Sequence, residues 1–323
     1  MIGIPGVLGY NWVQHQLHSP ANPGGGTVRI VVAPGATFHE VADTLHRAGV
    51  VDSTLVFDLY ARYRHLDRNI QAGAYQLERN KDMVQILQAL QTAIPEELFV
   101  TIPEGYTIKK TAAMLDKGTL IKGADYIQVA QQGQFTYDFL GGRPAGSSLE
   151  GFLFPDTYLV PRSTTARQLI TLQLDAFKKL WAAGRNDLAA QRKLTPLQVV
   201  TIASMIEREA LFDEDRPMVA SVIYNRLDGG WPLQIDATVL YAKGVWQSTV
   251  TLDDLKIPSP YNTYLHTGLP PGPIANPGIK AIDAALKPSQ TGYFFYLSDS
   301  KGHNHYAKTN DEFNQLKKQY GLG

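Results

Sequence analysis

The residues best suited to chemistry are two glutamates, Glu207 and Glu209, near the end of one apolar helix. Thr195, Pro196 and Gln198 supply an N-cap hydroxyl, a proline at the first helical position and a glutamine at the third, so the helix is predicted to begin here. At about 100° per residue the two glutamates lie roughly 200° apart, on opposite margins of the apolar face. We therefore expect one to act and the other to support it.

A carboxyl at the margin of an apolar helix has its pKa raised by desolvation, as a general acid working near neutral pH requires. Ion pairing is the alternative, since Arg208, Arg216 and Arg226 are near in sequence. The helix alone leaves both interpretations open.

Two segments downstream, 233–238 and 261–264, have compositions that suit a cleft. The first alternates an amide, an acid and a hydroxyl, and the second places two phenols around an amide and a hydroxyl. Amides, hydroxyls and aromatic rings without net charge suit a sugar, whereas phosphate would require Arg, Lys or Gly-rich loops. The candidate residues are Gln234, Asp236, Thr238, Tyr261, Asn262 and Tyr264.

Composition excludes several other chemistries. The chain has no cysteine, which rules out disulfides, thiolate nucleophiles and Cys-ligated metal centres. Its eight histidines are scattered without an H-E-x-x-H motif, and no nucleotide-binding or serine-hydrolase motif is present, so we predict no metal and no cofactor. Thirty basic residues balance thirty acidic ones, and we predict no nucleic-acid partner.

The chain begins with an apolar segment, Met1 to Val13, and the elements that must position these residues follow it. The segment is shorter than the roughly 20 residues that a bilayer-spanning helix needs. This segment is either a loosely packed terminus or the exit end of a membrane anchor that begins upstream. Residues 19–26 are rich in turn formers and predict a flexible tether.

A strand, a turn and a helix follow the tether, and the same pattern returns 70 residues later. The offset superimposes Gly35 on Gly105 and Thr37 on Thr107, which suggests an internal repeat. Between the copies, a helix is predicted at 53–64. Its apolar face, for which we predict core packing, consists of Leu55, Val56, Leu59 and Tyr60.

Five blocks of the second half stand in a characteristic order: IASMIEREA (202–210), VASVIYNRL (219–227), LQIDATVLY (233–241), SPYNTY (259–264) and GLPPGPIANPG (268–278). Together they resemble the YceG-like family of endolytic murein transglycosylases. The preceding EGFLFPDTY (150–158), which begins with Glu150, resembles the start of that family's catalytic domain, and the first small module resembles its LysM-like subdomain. The similarity extends over nearly all of residues 28–310.

The resemblance implies an α+β fold in which a small LysM-like α/β module precedes a larger mixed α+β catalytic domain with a buried catalytic helix. The implied divisions are a membrane-anchor remnant and tether (1–26), the LysM-like subdomain (27–95) and the catalytic domain (96–323). The last would combine a linking strand–helix unit (96–149) with a catalytic core (150–323).

The resemblance also implies a site and a location. Glu209 would be the catalytic acid and Glu207 its structural partner, and from their chemistry we expect Glu150 and the six candidates above to bind substrate or support the site. The enzyme would be single-pass in the inner (cytoplasmic) membrane through an N-terminal helix that is incomplete here, with its catalytic part on the periplasmic side. Peptidoglycan glycan strands would be its substrate and peptidoglycan synthases its candidate partners.

The implied reaction cuts the MurNAc-β-1,4-GlcNAc bond inside nascent strands, with closure to a 1,6-anhydroMurNAc end. Glu209 would first protonate the leaving oxygen and then deprotonate the attacking C6 hydroxyl, so that no second carboxyl is needed. Two alternatives remain: a muramidase-type hydrolase that uses Glu209 with Asp236, and a non-catalytic peptidoglycan-binding scaffold.

Overall fold

The computed structural model describes residues 4–68, 70–92, 94–247 and 250–321, and the chain divides into two compact units. Unit 1 comprises Met1–Val100 with Thr157–Ser163, and unit 2 comprises Thr101–Asp156 with Thr164–Gly323. The described residues form thirteen α-helices and two small sheets, which confirms the predicted mixed α+β class.

Unit 1 is built on a four-stranded sheet in the order β1-β2-β3-β4, in which β1 and β3 each pair antiparallel with β2. Its elements are α1 (Ile4–His18), β1 (Thr27–Val32), α2 (Phe38–Arg47), α3 (Thr54–Tyr63), β2 (Gly73–Glu78), α4 (Met83–Thr92), β3 (Glu97–Thr101) and β4 (Thr157–Pro161). The sheet thus extends beyond the 27–95 module predicted from sequence. It includes β4, which lies within the predicted catalytic core, because a long stretch of chain leaves the sheet and returns to it.

The N-terminal helix α1 packs on unit 1 through its C-terminal half. Leu17 is buried in the core of the unit and Val13 packs against that core. The predicted tether, 19–26, has neither helix nor strand. Residues 1–3 of the predicted anchor remnant lie outside the described part of the chain, and within that part no helix combines the length and apolarity needed to cross a membrane.

The predicted repeat appears as two similar strand–turn–helix corners. Gly35 and Gly105 have φ angles of +75° and +72°, a region that glycine enters without steric cost. Thr37 and Thr107 each cap the helix that follows, by accepting a hydrogen bond from a backbone N–H of the first turn. These shared turn and capping residues confirm the predicted local structure of both copies.

The predicted core face of α3 is partly wrong. Val56 is buried, but Leu55 and Leu59 are 65% and 59% exposed. Phe57 and Ala61 occupy the core instead. Because apolar residues lie on several sides of α3, their spacing in the sequence did not identify the face that packs against the core.

Unit 2 surrounds one buried helix. Its elements are α5 (Ile108–Gly118), α6 (Gly123–Gln132), α7 (Ala166–Ala182), α8 (Arg185–Gln191), α9 (Pro196–Glu209), α10 (Arg216–Asp228), α11 (Asp236–Lys243), α12 (Ile279–Leu286), β5 (Phe295–Ser298), β6 (Asn304–Ala307) and α13 (Asn310–Tyr320). Helix α9 begins at the predicted capping box of Thr195 and Gln198, and every residue from Val199 to Ile206 is buried. It contacts α8, α10, α11 and α12. This packing fixes the end of α9 that carries both glutamates.

Candidate active site

A cleft of about 510 Å³ opens on unit 2 beside the end of α9. It is bordered by the start of α11, the β5–β6 hairpin and α13. Four of the predicted site residues line it together: Glu209, Gln234, Asp236 and Tyr264. The other lining residues were not predicted for a cleft from the sequence. They include Arg226, Phe295, Tyr296 and Lys317.

Glu209 is the last residue of α9, and its carboxyl is held by two donors. The Tyr296 hydroxyl donates to Oε2 across 2.9 Å, and the backbone N–H of Ala237, in the first turn of α11, also donates to the carboxyl. Burial raises the pKa of Glu209 to about 7, and the nearby negative charge of Asp236 adds to the rise. The two donors and Arg208 oppose it. Near neutral pH this carboxyl therefore exists in both protonation states.

Asp236 lies in the same cleft, at the first residue of α11, and its Oδ1 accepts a hydrogen bond of 2.6 Å from the Tyr264 hydroxyl. Burial and this carboxylate raise the pKa of Tyr264, so the phenol stays a donor. Gln234 is exposed in the cleft with φ of +51°, a conformation that non-glycine residues adopt uncommonly. Both carboxyls of the cleft thus face a hydroxyl donor.

Arg226 is buried at the cleft wall and organises the loops around it. Its Nε donates to the Phe294 carbonyl at 2.6 Å, and its Nη1 donates to the Leu233 carbonyl at 2.6 Å. A longer contact of 3.4 Å reaches Gln234 Oε1. This guanidinium therefore joins the chain before α11 to the chain before β5. Its hydrogen-bond acceptors are backbone carbonyls and the Gln234 amide, so the ion pair with a glutamate considered for Arg226 is not formed.

Glu207 points away from the cleft into a network of its own. One oxygen lies 3.3 Å from Arg216 Nη1, and the other accepts from the Gly278 backbone N–H at 3.0 Å. Its side chain is 8% exposed, and burial raises its pKa while Arg216 and the Gly278 N–H oppose the rise. The ion-pair alternative thus describes Glu207, which ties α9 to α10 and to the loop before α12.

Two further candidates, Thr238 and Asn262, are fully buried. The Asn262 amide donates to the carbonyls of Leu255 and Ile257, both at 2.9 Å, and its oxygen accepts from the Tyr264 N–H at 3.0 Å. Thr238 bonds to the Ile235 carbonyl at 2.7 Å. The sugar contact predicted for Asn262 does not fit this burial, since its amide is already used to shape the loop that carries Tyr264.

Glu150 lines a different cavity, and Tyr261 packs on Tyr241, another residue of that cavity. Glu150 is buried, accepts hydrogen bonds from the Ile108 N–H at 3.0 Å and from Asn276 Nδ2 at 2.9 Å, and is also bonded to Tyr241. Burial raises the pKa of Glu150 to about 8. The Tyr261 ring packs on the Tyr241 ring with centroids 5.0 Å apart. The structure therefore separates these two residues from the group around Glu209.

Sequence reasoning missed Tyr296, the hydroxyl partner of Glu209. It lies in an aromatic run, residues 293–296, whose strand character is readable, but nothing local connects it with a residue 87 positions away. The neighbouring His303 stacks on Phe212, and His305 contacts Asp299 and Tyr320. Neither histidine lines the cleft. Across the described ranges, no group of three potential His, Asp or Glu ligands is placed to hold a metal ion.

The arrangement can carry out proton transfer in both directions. A single carboxyl with a pKa of about 7 donates as an acid and accepts as a base at the same pH. The Tyr296 hydroxyl and the Ala237 N–H favour its ionised form, which exists after a proton has been given away. Asp236 lies in the same cleft as Glu209, and its negative charge would stabilise a positive charge that develops on a bound ligand.

Comparison with known proteins finds relatives in one family. A model of the YceG-like family matches residues 30–319. The endolytic murein transglycosylase of Bacillus subtilis (strain 168) is 34% identical over 310 residues, which cover 91% of this chain and 85% of that protein. The endolytic murein transglycosylase of Streptococcus pneumoniae serotype 2 (strain D39) is 30% identical over 341 residues, covering 97% of this chain and 62% of that protein.

A solved structure is also similar. The crystal structure of a yceG-like protein from Listeria monocytogenes superposes with a TM-score of 0.65 at 32% sequence identity, covering 90% of this chain and 99% of that one. The family match spans both units and includes every residue of the cleft described above. The chain belongs to the YceG-like family.

Proposed function

We propose that this chain is an endolytic lytic transglycosylase, a lyase that cuts the MurNAc-β-1,4-GlcNAc bond inside nascent peptidoglycan strands. The products would carry 1,6-anhydroMurNAc ends, and the cut would terminate strand elongation. The observation that carries the proposal is the Glu209 carboxyl, placed in a cleft between a phenol donor and a helix N-terminus with a pKa of about 7. The names of the relatives from Bacillus subtilis and Streptococcus pneumoniae support the same reaction.

In the first half of the reaction Glu209 donates its proton to the glycosidic oxygen, and the bond from that oxygen to C1 of MurNAc breaks. The resulting carboxylate accepts from Tyr296 and from the Ala237 N–H, which stabilise it. In the second half this carboxylate takes the proton of the C6 hydroxyl as the C6 oxygen bonds to C1. Glu209 thus regains the proton that it gave away, and no water molecule takes part in the reaction.

Other residues of the cleft have supporting roles in this scheme. The Asp236 carboxylate, oriented by Tyr264, stabilises the positive charge that develops on the sugar ring. Gln234 offers its amide to the sugar from a loop that Arg226 holds. Glu207, Thr238 and Asn262 maintain the backbone around these groups.

The proposal places the catalytic unit outside the cytoplasmic membrane, where peptidoglycan lies. Helix α1 would continue from an anchor in the inner membrane, and peptidoglycan synthases would be partners because they supply the nascent strand. The test for location is fractionation of cells that express the natural protein, with protease added to intact spheroplasts. Degradation without lysis supports the proposed side, and protection until lysis contradicts it.

The reaction is tested by mass spectrometry of fragments released from uncrosslinked, newly polymerised strands. We expect the wild type to release internal fragments whose muramyl ends are one water lighter than hydrolysed ends, and Glu209→Gln to release none. The exposed Glu214, five residues away, provides the matched control Glu214→Gln, which should cut like the wild type. Reducing muramyl ends would identify a hydrolase and direct attention to Asp236, and binding without cleavage by the wild type would identify a scaffold.

A further inference from the structure

Unit 2 carries a second cavity, of about 390 Å³, that the proposed reaction does not use. It lies where the start of α5 meets the end of α11 and the segment that follows α11. The side chains that define it are Lys109, Lys110, Gln131, Ser148, Tyr241 and Trp246, and Glu150 forms part of its wall. It therefore combines two aromatic rings, an amide, a hydroxyl and two exposed lysines.

The wall of this cavity is held in place by buried hydrogen bonds. Glu150 accepts from the Ile108 N–H and from Asn276, and it is bonded to the hydroxyl of Tyr241. Tyr241 in turn packs on Tyr261. A site held in this way requires little reorganisation when a ligand enters.

The charge of the cavity is set by its lysines. Burial raises the pKa of Glu150 to about 8, so this carboxyl is mostly neutral at pH 7, whereas Lys109 and Lys110 are exposed cations. The first N–H groups of α5 do not face a ligand, because Ile108 N–H donates to Glu150 and Lys110 N–H donates to Thr107. An anionic group would therefore be contacted by the lysine side chains.

Helix α11 lines both the second cavity and the catalytic cleft, and α9 contacts the wall of the cavity through Arg208. Arg208, which stands between Glu207 and Glu209 on α9, places its guanidinium 4.1 Å from the centre of the Trp246 ring. Helix α11 begins in the cleft with Asp236, and Tyr241 follows five residues later, about 7.5 Å along the helix axis. The end of α9 and the whole of α11 therefore connect the two sites.

The ligand that fits this set of groups is a sugar chain with carboxylate branches. Indole and phenol rings pack on the C–H face of a sugar, and an amide and a hydroxyl pair with its hydroxyl and acetamido groups. Lysines attract carboxylates. Uncrosslinked peptidoglycan has both features, since peptides that end in carboxylates branch from alternate sugars of the strand.

We propose that the cavity lined by Trp246, Tyr241 and the Lys109–Lys110 pair is a second binding site for the same strand, which holds a peptide-bearing segment away from the cut. This inference rests on the proposed function for the identity of the ligand. By holding the strand on one side of Glu209, the site favours cuts inside long strands over cuts in short oligosaccharides.

The test measures binding separately from cleavage, in the full chain carrying Glu209→Gln. Isothermal titration with soluble uncrosslinked oligosaccharides, with and without stem peptides, compares this parent with added Trp246→Ala, with added Trp246→Phe, and with added Lys109→Ala/Lys110→Ala. The matched control is Lys178→Ala/Lys179→Ala, which removes an exposed lysine pair from α7. Thermal unfolding of each variant verifies that it is folded.

We expect Trp246→Ala to weaken binding of both ligands about tenfold, and Trp246→Phe to restore most of the loss. The lysine double variant should weaken only the peptide-bearing ligand, about fivefold, and the control should bind like the parent. In the active enzyme, Lys109→Ala/Lys110→Ala should raise KM for long peptide-bearing strands and leave kcat at saturation unchanged. Cleavage of oligosaccharides too short to reach the cavity should also stay unchanged.

The outcomes separate this inference from the proposed function. Normal cleavage by the wild type, with binding indifferent to Trp246 and to both lysines and KM indifferent to the lysines, overturns the second site alone. Absence of cleavage, with binding that still depends on these residues, overturns the transglycosylase and leaves the binding site. Equal losses in the lysine variant and in its α7 control also overturn the site, because the effect would then reflect net charge only.

Discussion

The hydrogen bond from Tyr296 to Glu209 should set the pH range of the enzyme. Replacing Tyr296 by Phe keeps the ring and removes the donor that favours the ionised carboxyl. A hydrogen bond to a charged group contributes about 1.5–3 kcal/mol, and one pKa unit corresponds to about 1.4 kcal/mol. The pKa of Glu209, about 7 in the wild type, should therefore rise by about one to two units in Tyr296→Phe.

In the proposed reaction the free enzyme holds a proton on Glu209 at the start, so kcat/KM should fall as the pH rises through this pKa. We expect the alkaline limb of the wild-type profile near pH 7 and that of Tyr296→Phe about one to two units higher. The assay is the rate of release of anhydromuramyl fragments at constant ionic strength between about pH 5 and 10. Tyr293→Phe, in the same aromatic run but not part of the cleft lining, is the control and should follow the wild type. An unchanged limb, or one shifted to lower pH, would refute the assigned role of the hydroxyl.

Three further predictions concern stability and outcome. The raised pKa of Glu209 means that its protonated form contributes stability below its ordinary value of 4.5, which is lost as the pH rises through about 7. Glu209→Gln should therefore raise the free energy of unfolding at pH 8 but not at pH 4, by at most about 3 kcal/mol, and an equal Tm of variant and wild type at pH 8 would contradict this. Asn276→Ala removes an amide that accepts from the N–H groups of Gly151 and Leu153 and donates to the Tyr106 carbonyl and to Glu150. The free energy of unfolding measured in urea should therefore fall by about 3 kcal/mol or more. A fall below about 1 kcal/mol would contradict this prediction. Asp236→Asn should lower kcat on the order of a hundredfold while product analysis still finds anhydromuramyl ends, and a switch of end type would contradict that role.

Helix α9 was predictable because its signals are local. A capping box at Thr195 and an apolar period fix where α9 begins and which side is buried, and the two glutamates follow from counting residues around the axis. The same reasoning placed Glu209 and Glu207 on different margins, and in the structure they have separate partners. The helix pattern did not show which glutamate lies in a cleft. That Glu209 is the one came from the resemblance to the family.

Composition was a weaker guide to the sugar-contacting residues. Gln234, Asp236 and Tyr264 do lie in the cleft with Glu209. Asn262, chosen for the same polar character, satisfies backbone carbonyls inside its own loop. A polar side chain that serves a ligand and one that serves the backbone look alike in a sequence, since only the three-dimensional course of the loop decides between them.

Tyr296 was not predictable because tertiary packing alone brings it to Glu209. The β5–β6 hairpin is attached to the start of α10 through Asp215, which accepts from the Tyr306 hydroxyl at 2.8 Å and from the Asn304 N–H at 3.2 Å. These contacts join residues about 90 positions apart in the chain. The return of β4 to the first sheet was not predicted for a similar reason, since the other strands of that sheet precede residue 102.

If the Glu209 carboxyl alone completes the reaction, no oxygen from water enters the product. The reaction is therefore run in water labelled with heavy oxygen, and the new muramyl ends are weighed by mass spectrometry. We expect anhydro ends that contain no labelled oxygen in the wild type, and no new ends with Glu209→Gln. New ends that each carry one labelled oxygen would show that water attacks C1 and that Glu209 does not complete the reaction alone.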